Sequence, residues 1–287
     1  MGSVCRLSAT TRRYDRVVLR QGSGEPLVLL HGILGSERMW SHVVPVLANH
    51  YDVIAPTMLG HRGGQSAIVR PARLAHIVDD AERLLDEMGI EQAHLAGNSL
   101  GARVALELAR RGRARTVCAL SPSGTWEAGS EDHRRATEAL RATVRAARRS
   151  RRLLGLPARS ERFRRWALRD TAVHGERVSP AELLGLTDDL LGCTIVGDLF
   201  DEAAQLAPLN PPPCPVTLAW AGKDRVFPAE INGANARELI PGARYIVLED
   251  VGHVAMLDDP QLVAQTILTA AASTHDNPAP AGPSHIS

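Results

Sequence analysis

Aromatic residues are scarce: four Trp, three Tyr and three Phe among 287 residues. No stacking series of them is interleaved with the arginine clusters, which counts against a surface for single-stranded nucleic acid. Lysine is nearly absent; Lys223 is the only one, so the basic charge is almost wholly arginine, as a codon bias would produce. With 33 basic and 32 acidic residues the chain is close to neutral, and its overall charge selects no polyanionic partner. The four cysteines, Cys5, Cys118, Cys193 and Cys214, show no C-x-x-C spacing and read as reduced and structural. No apolar run reaches the length of a membrane span, and the N-terminus has no signal-like apolar region. The chain opens Met-Gly but has Arg6 where a myristoylation pattern wants Ser or Thr. These absences lead to the expectation of a cytoplasmic protein with no membrane and no nucleic-acid partner. H-E-x-x-H, Walker A, a post-strand G-x-G-x-x-G and cysteine-rich ligand sets are also missing, so neither a metal nor an organic cofactor is expected.

What the chain does have is concentrated in Gln92–Leu108. A short apolar strand runs into Gly97-Asn98-Ser99-Leu100-Gly101, and apolar residues at helical spacing follow. This is G-x-S-x-G in the strand–turn–helix context that exposes a serine on a strained turn. Glycines at 97 and 101 let strand and helix approach closely, and the helix start offers free N–H groups to an anion. Ser99 is the candidate nucleophile.

Around this stretch, apolar strands are predicted at 16–20, 27–30, 52–57, 115–120, 215–221 and 245–248. Helices are predicted at 39–49, after Pro71 to about Gly89, at 228–240 and at 257–272. Alternation of this kind implies parallel βαβ crossovers and a sheet covered on both faces. Between Pro122 and Pro208 only helical periodicity is visible, at 131–154, 160–173 and 179–191. The expected organisation is a core from 1–121 and 211–272, a helical cap at 122–210 and a disordered Pro/Ala/Gly/Ser-rich tail at 273–287.

A nucleophilic serine needs a base and an acid that orients the base. Asp224 follows the strand ending near Ala221, and His253 follows the strand ending near Leu248. In a parallel sheet, loops at the carboxyl ends of strands converge. The order Ser99, Asp224, His253 is that of an α/β-hydrolase triad. An oxyanion hole would come from the backbone N–H of Leu100 and, from the loop after His31-Gly32, that of Ile33.

With these residues in place, the chain resembles the α/β-hydrolase fold superfamily, in its capped, esterase-like serine hydrolase group. The resemblance rests on His31-Gly32 with Gly35-Ser36 and Trp40, on Gly97–Gly101, on Gly222-Lys223-Asp224, and on Gly252-His253 with Asp259-Pro260. It implies a mostly parallel, doubly wound α/β sheet, a helical cap inserted after the strand ending near Leu120, and the triad roles above. Ser99 sets the chain apart from dehalogenase- and epoxide-hydrolase-like relatives, which carry Asp as nucleophile. Many relatives have Asp-x-x-Gly-His-Gly-x-Ser after the fourth strand; here Thr57–Ser66 departs at its start and has two extra residues. Asn98 is shared with carbon–carbon bond hydrolases, but Val254 stands where those have Trp.

The expected reaction is hydrolysis of a carboxylic ester, lactone or thioester. A carbon–carbon bond hydrolase on the same triad and a non-catalytic small-molecule binding protein are the alternatives. His31, Trp126 and Trp166 are candidate pocket residues beside a small-molecule acyl substrate. The arginines between Arg134 and Arg169 form either a solvated face or a docking surface for an acyl carrier.

Overall fold

The computed structural model of the chain describes residues 4–6, 16–126, 130–202, 205–273 and 284–286. Its strands are β1 (Val4–Arg6), β2 (Val17–Gln21), β3 (Pro26–Leu30), β4 (Asp52–Pro56), β5 (Ala93–Asn98), β6 (Ala114–Leu120), β7 (Val216–Ala221), β8 (Arg244–Leu248) and β9 (Ser284–Ile286). They form one sheet in the order β1-β2-β4-β3-β5-β6-β7-β8-β9. β1 and β2 run antiparallel to their neighbours, and every pairing from β4 to β9 is parallel. The α/β-hydrolase fold class is thereby borne out.

Period-two alternation explains how both faces are covered. Val28 and Leu30 of β3 join one buried cluster with Ile77, Leu85, Val104 and Leu108. Leu27 and Leu29 join the other, with Leu47, Val263 and Ile267. The helices packing into these clusters are α1 (Val44–Leu47), α2 (Leu74–Glu87), α3 (Leu100–Arg110) and, after an intervening helical stretch, α8 (Ala234–Leu239), α9 (Ala255–Asp258) and α10 (Pro260–Ala271). β3 lies between β4 and β5, so the chain departs to opposite sides after it. At such a switch point the loops leave a crevice at the carboxyl ends of the strands.

The intervening stretch, between β6 and β7, holds α4 (Glu131–Ser150), α5 (Glu161–Leu168), α6 (Pro180–Gly192) and α7 (Val196–Glu202). A small core of its own contains Leu154, Ala158, Val178 and Leu183. Contacts with the sheet's loops set its position. Asp189, buried, accepts from Ser36 Oγ at 2.6 Å and pairs with Arg62 at 3.0 Å. The Asp198 carboxylate takes Arg70 and the Ala72 N–H (2.6 Å), and Thr194 N–H donates to Gly60 O at 2.8 Å. All these partners follow β3 or β4, so the helices lie over the carboxyl ends of the strands.

Three elements differ from the sequence expectation. The helix predicted at 39–49 is a 3-10 turn at Glu37–Trp40 followed by the single turn α1, because Pro45 can open a helix but cannot sit inside one. Pro260 likewise splits the last helix; Asp259 caps α10 by accepting from Leu262 N–H at 2.8 Å. Within the tail expected to be disordered, Ser284–Ile286 pairs with β8, whose outer backbone groups would otherwise face solvent.

Candidate active site

Ser99 stands at the junction of β5 and α3 with φ 54° and ψ −112°. L-residues avoid this region, and surrounding structure must hold it there. Ser99 N–H donates to Leu120 O (2.9 Å), while Ser99 O accepts from Arg103 N–H and Ser123 N–H, both at 3.1 Å. The flanking glycines are obligatory. A Cβ at Gly97 would collide with the Gly101 carbonyl, and one at Gly101 with the Leu30 and His31 carbonyls. Strand, helix and the loop after β3 therefore meet at van der Waals distance.

Asp224 and His253 are brought together. His253 Nδ1 donates to Asp224 Oδ2 at 2.8 Å, and Asp224 Oδ1 accepts from Val226 N–H (2.9 Å) and Phe227 N–H (2.8 Å). Three donors on one buried carboxylate fix its plane, and the bond to Nδ1 leaves His253 Nε2 as the acceptor nitrogen. The Phe227 ring packs edge-on against the imidazole with centroids 5.0 Å apart. Asn98, next to Ser99, donates from Nδ2 to the His253 carbonyl at 2.8 Å and so joins the serine strand to the histidine loop.

Leu100 is the first residue of α3, so its N–H has no partner inside the helix. A Cβ at Gly32 would lie 3.5 Å from Ser99 Cβ and 3.1 Å from Asn98 Oδ1, so the loop carrying Ile33 passes directly beside the serine. Leu34, at φ 68°, turns that loop sharply. Leu100 and Ile33 thus flank Ser99 from α3 and from the loop after β3.

His31 is not a pocket residue. It is fully buried; Met58 N–H donates to its Nε2 at 3.0 Å, so Nδ1 carries the proton and donates to Gly32 O at 2.8 Å. Burial holds its pKa well below the ordinary imidazole range, and neighbouring His61 adds to the shift. The neutral ring braces the loop after β3 against that after β4. Its His61 neighbour, 4.8 Å away edge-on, is pushed down to about 4 by burial.

Trp126 packs on Phe227 at 5.5 Å, one ring removed from His253. Trp166 is 59% exposed, has Arg169 stacked over it at 4.9 Å, and lines an open cavity of about 660 Å³ with Lys223, Asp224, Arg225 and Gly252. Trp166 thus shares a cavity wall with Asp224, and that wall does not include Ser99. Sequence reasoning missed Asp258. Its buried carboxylate accepts from Gly252 N–H (2.7 Å), Val173 N–H (3.0 Å) and His174 N–H (2.7 Å), tying the helical insertion to the histidine loop. An acid closing the apolar run Val254–Leu257 was the available signal.

Among the described residues no group of three or more potential ligands could hold a metal ion. A family model described as the alpha/beta hydrolase family matches residues 27–266. "Epoxide hydrolase EphH" of Mycobacterium tuberculosis is 34% identical over 200 residues, covering 67% of this chain and 92% of that protein. The "Dihydrolipoyllysine-residue acetyltransferase component of acetoin cleaving system" of Cupriavidus necator is 29% identical over 250 residues; this covers 86% of the chain but 62% of that longer protein. A thermophilic esterase from Thermogutta terrifontis superposes with a TM-score of 0.68 at 23% identity, covering 94% of this chain and all of that one. The chain belongs to the alpha/beta hydrolase family and is a hydrolase of that fold.

Proposed function

We propose that this hydrolase cleaves a carboxylic ester, lactone or thioester through an acyl-enzyme on Ser99. The observation that carries the reading is the Asp224–His253 bond at 2.8 Å, which presents an unprotonated Nε2 from the loop that Asn98 fastens beside Ser99. Ser99 Oγ attacks the acyl carbon as His253 takes its proton. Asp224 holds the imidazole and stabilises its charged form. The N–H groups of Leu100 and Ile33 receive the oxyanion, with the positive end of α3 behind it. His253 then protonates the leaving oxygen or sulfur and activates the water that frees the acid. The helical insertion, lying over this crevice, acts as the cap that shapes the acyl pocket.

A second reading follows from the relative named as an epoxide hydrolase. Opening an epoxide ring with a carboxylate nucleophile needs no prior proton removal, whereas a serine hydroxyl beside a histidine base is suited to acyl transfer. The test is pre-steady-state acylation with p-nitrophenyl esters of graded chain length, using wild type and Ser99→Ala. A stoichiometric, Ser99-dependent burst is expected. Turnover of an epoxide series with no ester burst would replace the proposal by the second reading. A folded protein that turns over neither, yet binds small acyl ligands, would make it a binding protein.

A further inference from the structure

The helical insertion has an exposed corner that the proposed chemistry leaves unused. After α4 the chain makes a 3-10 turn at Arg151–Leu153, passes Gly155, makes another at Pro157–Arg159 and enters α5. Leu154 and Ala158 point inward, into the small core with Val178 and Leu183. Leu153 and Leu156 point outward and are each 77% exposed, more than any other large hydrophobic side chain among the described residues. They flank Gly155 at the tip of the corner.

The charge around them is segregated. Residues 141–169 contain eleven arginines and a single acid, Glu161, in a chain whose totals are balanced. A bias for arginine over lysine explains which cation is used; it does not explain why the acids are missing here. Some of these arginines are neutralised: Arg151 pairs with Asp188, Arg165 with Glu176, and buried Arg164 donates to the carbonyls of Ala158, Arg159 and Glu176. Arg145, Arg148, Arg149, Arg152, Arg159 and Arg162 are exposed, and their side chains have no partner among the described residues.

We propose that this corner docks the protein on an anionic lipid surface. The unpaired arginines meet headgroup phosphates, and Leu153 and Leu156 enter the headgroup–acyl boundary. Two exposed apolar side chains in a segment rich in exposed, uncompensated cations match the two requirements of interfacial binding, apolar insertion and attraction to anionic lipid. An acidic protein would satisfy the arginines but would leave two protruding leucines in need of matching pockets. Docking would turn the helical insertion toward the lipid, a departure from the expectation of no membrane partner.

The experiment is co-sedimentation of the full chain with large unilamellar vesicles of phosphatidylcholine, with and without phosphatidylglycerol, at low and high salt. Binding is expected only with phosphatidylglycerol, at least about tenfold above the neutral vesicles, and lost at high salt. Leu153→Ser with Leu156→Ser should weaken it roughly tenfold while p-nitrophenyl ester turnover in vesicle-free buffer is unchanged, which also shows that the variant is folded. Arg148→Glu with Arg152→Glu should abolish sedimentation. Equal binding to both vesicles, binding indifferent to the leucines, or none would overturn the proposal. So would competition by glycerol 3-phosphate, which would indicate a free-phosphate site. Capture of an acidic acyl carrier protein without vesicle binding would replace it by protein docking.

Discussion

Asn98 holds His253 by its main chain: the amide one residue before Ser99 donates to the histidine's own carbonyl at 2.8 Å, and both residues are buried. His253 is thus positioned from the Ser99 side as well as from Asp224. Asn98→Leu keeps the volume and removes the donor. It should lower kcat roughly tenfold with little change in KM, and lower stability by about 1–3 kcal/mol through the unpaired carbonyl. Steady-state kinetics with urea melts would separate the two effects, and equal kcat in variant and wild type would remove the positioning role.

Asp224→Asn should preserve the fold, since an amide oxygen still accepts from the Val226 and Phe227 N–H groups. Its NH₂ would face Nδ1 and drive His253 into the tautomer that cannot accept the serine proton. A fall in kcat on the order of 10³–10⁴ is expected, read from ester turnover beside an unchanged circular dichroism spectrum.

Gly101→Ala should prevent stable folding, because its Cβ would overlap the Leu30 and His31 carbonyls. Gly197→Ala is the control: nothing lies within 4 Å of its added methyl, and it is the second residue of α7. That change should stabilise the protein by about 0.5–1 kcal/mol. Thermal melts of the two variants would check the contrast.

The His31–His61 pair makes stability fall in acid. His61 has its pKa lowered from 6.5 to about 4 by burial, so its neutral form is favoured in the folded state. A histidine depressed in this way contributes full stability above pH about 6.5 and loses it as pH falls toward about 4, a contribution of roughly 3 kcal/mol. His61→Asn keeps a donor for Leu59 O and cannot titrate. Urea melts across this window should show a shallower pH dependence in the variant; parallel curves would refute the assignment.

Much of this was legible in the sequence because a parallel sheet makes strand ends converge. Ser99, Asp224 and His253 follow β5, β7 and β8, and apolar runs with Gly punctuation were enough to locate those strands. The role of His31 was not legible. A His-Gly pair after a strand looks the same whether its ring faces a ligand or a neighbouring loop, and the partner that decides, Met58 N–H, is 27 residues away. Trp166 was only partly legible for a related reason: helical spacing says that it lies on α5, not that it lines the cavity beside Asp224. Asp258 was hidden because its donors come from segments 6 and about 84 residues distant.

Asp258→Ala would leave one buried and two part-buried N–H groups unpaired on two segments at once, costing about 3 kcal/mol. Activity should fall with stability, because Gly252 adjoins His253; urea melts and ester turnover would report both.

The same carboxylate limits how this enzyme can be recombined. A Cβ at Gly252 would come within 2.9 Å of Thr171 O, and Val254 N–H donates to that carbonyl at 2.8 Å, so the foot of the insertion and the bed of His253 are one packed unit. A chimera that exchanges residues 122–210 for another relative's helices would also import a foreign partner for Asp258 and Gly252. Transplants would have to carry residues 250–259 with the donor's helices, so the natural crossover points for substrate retargeting lie farther apart than the insertion itself.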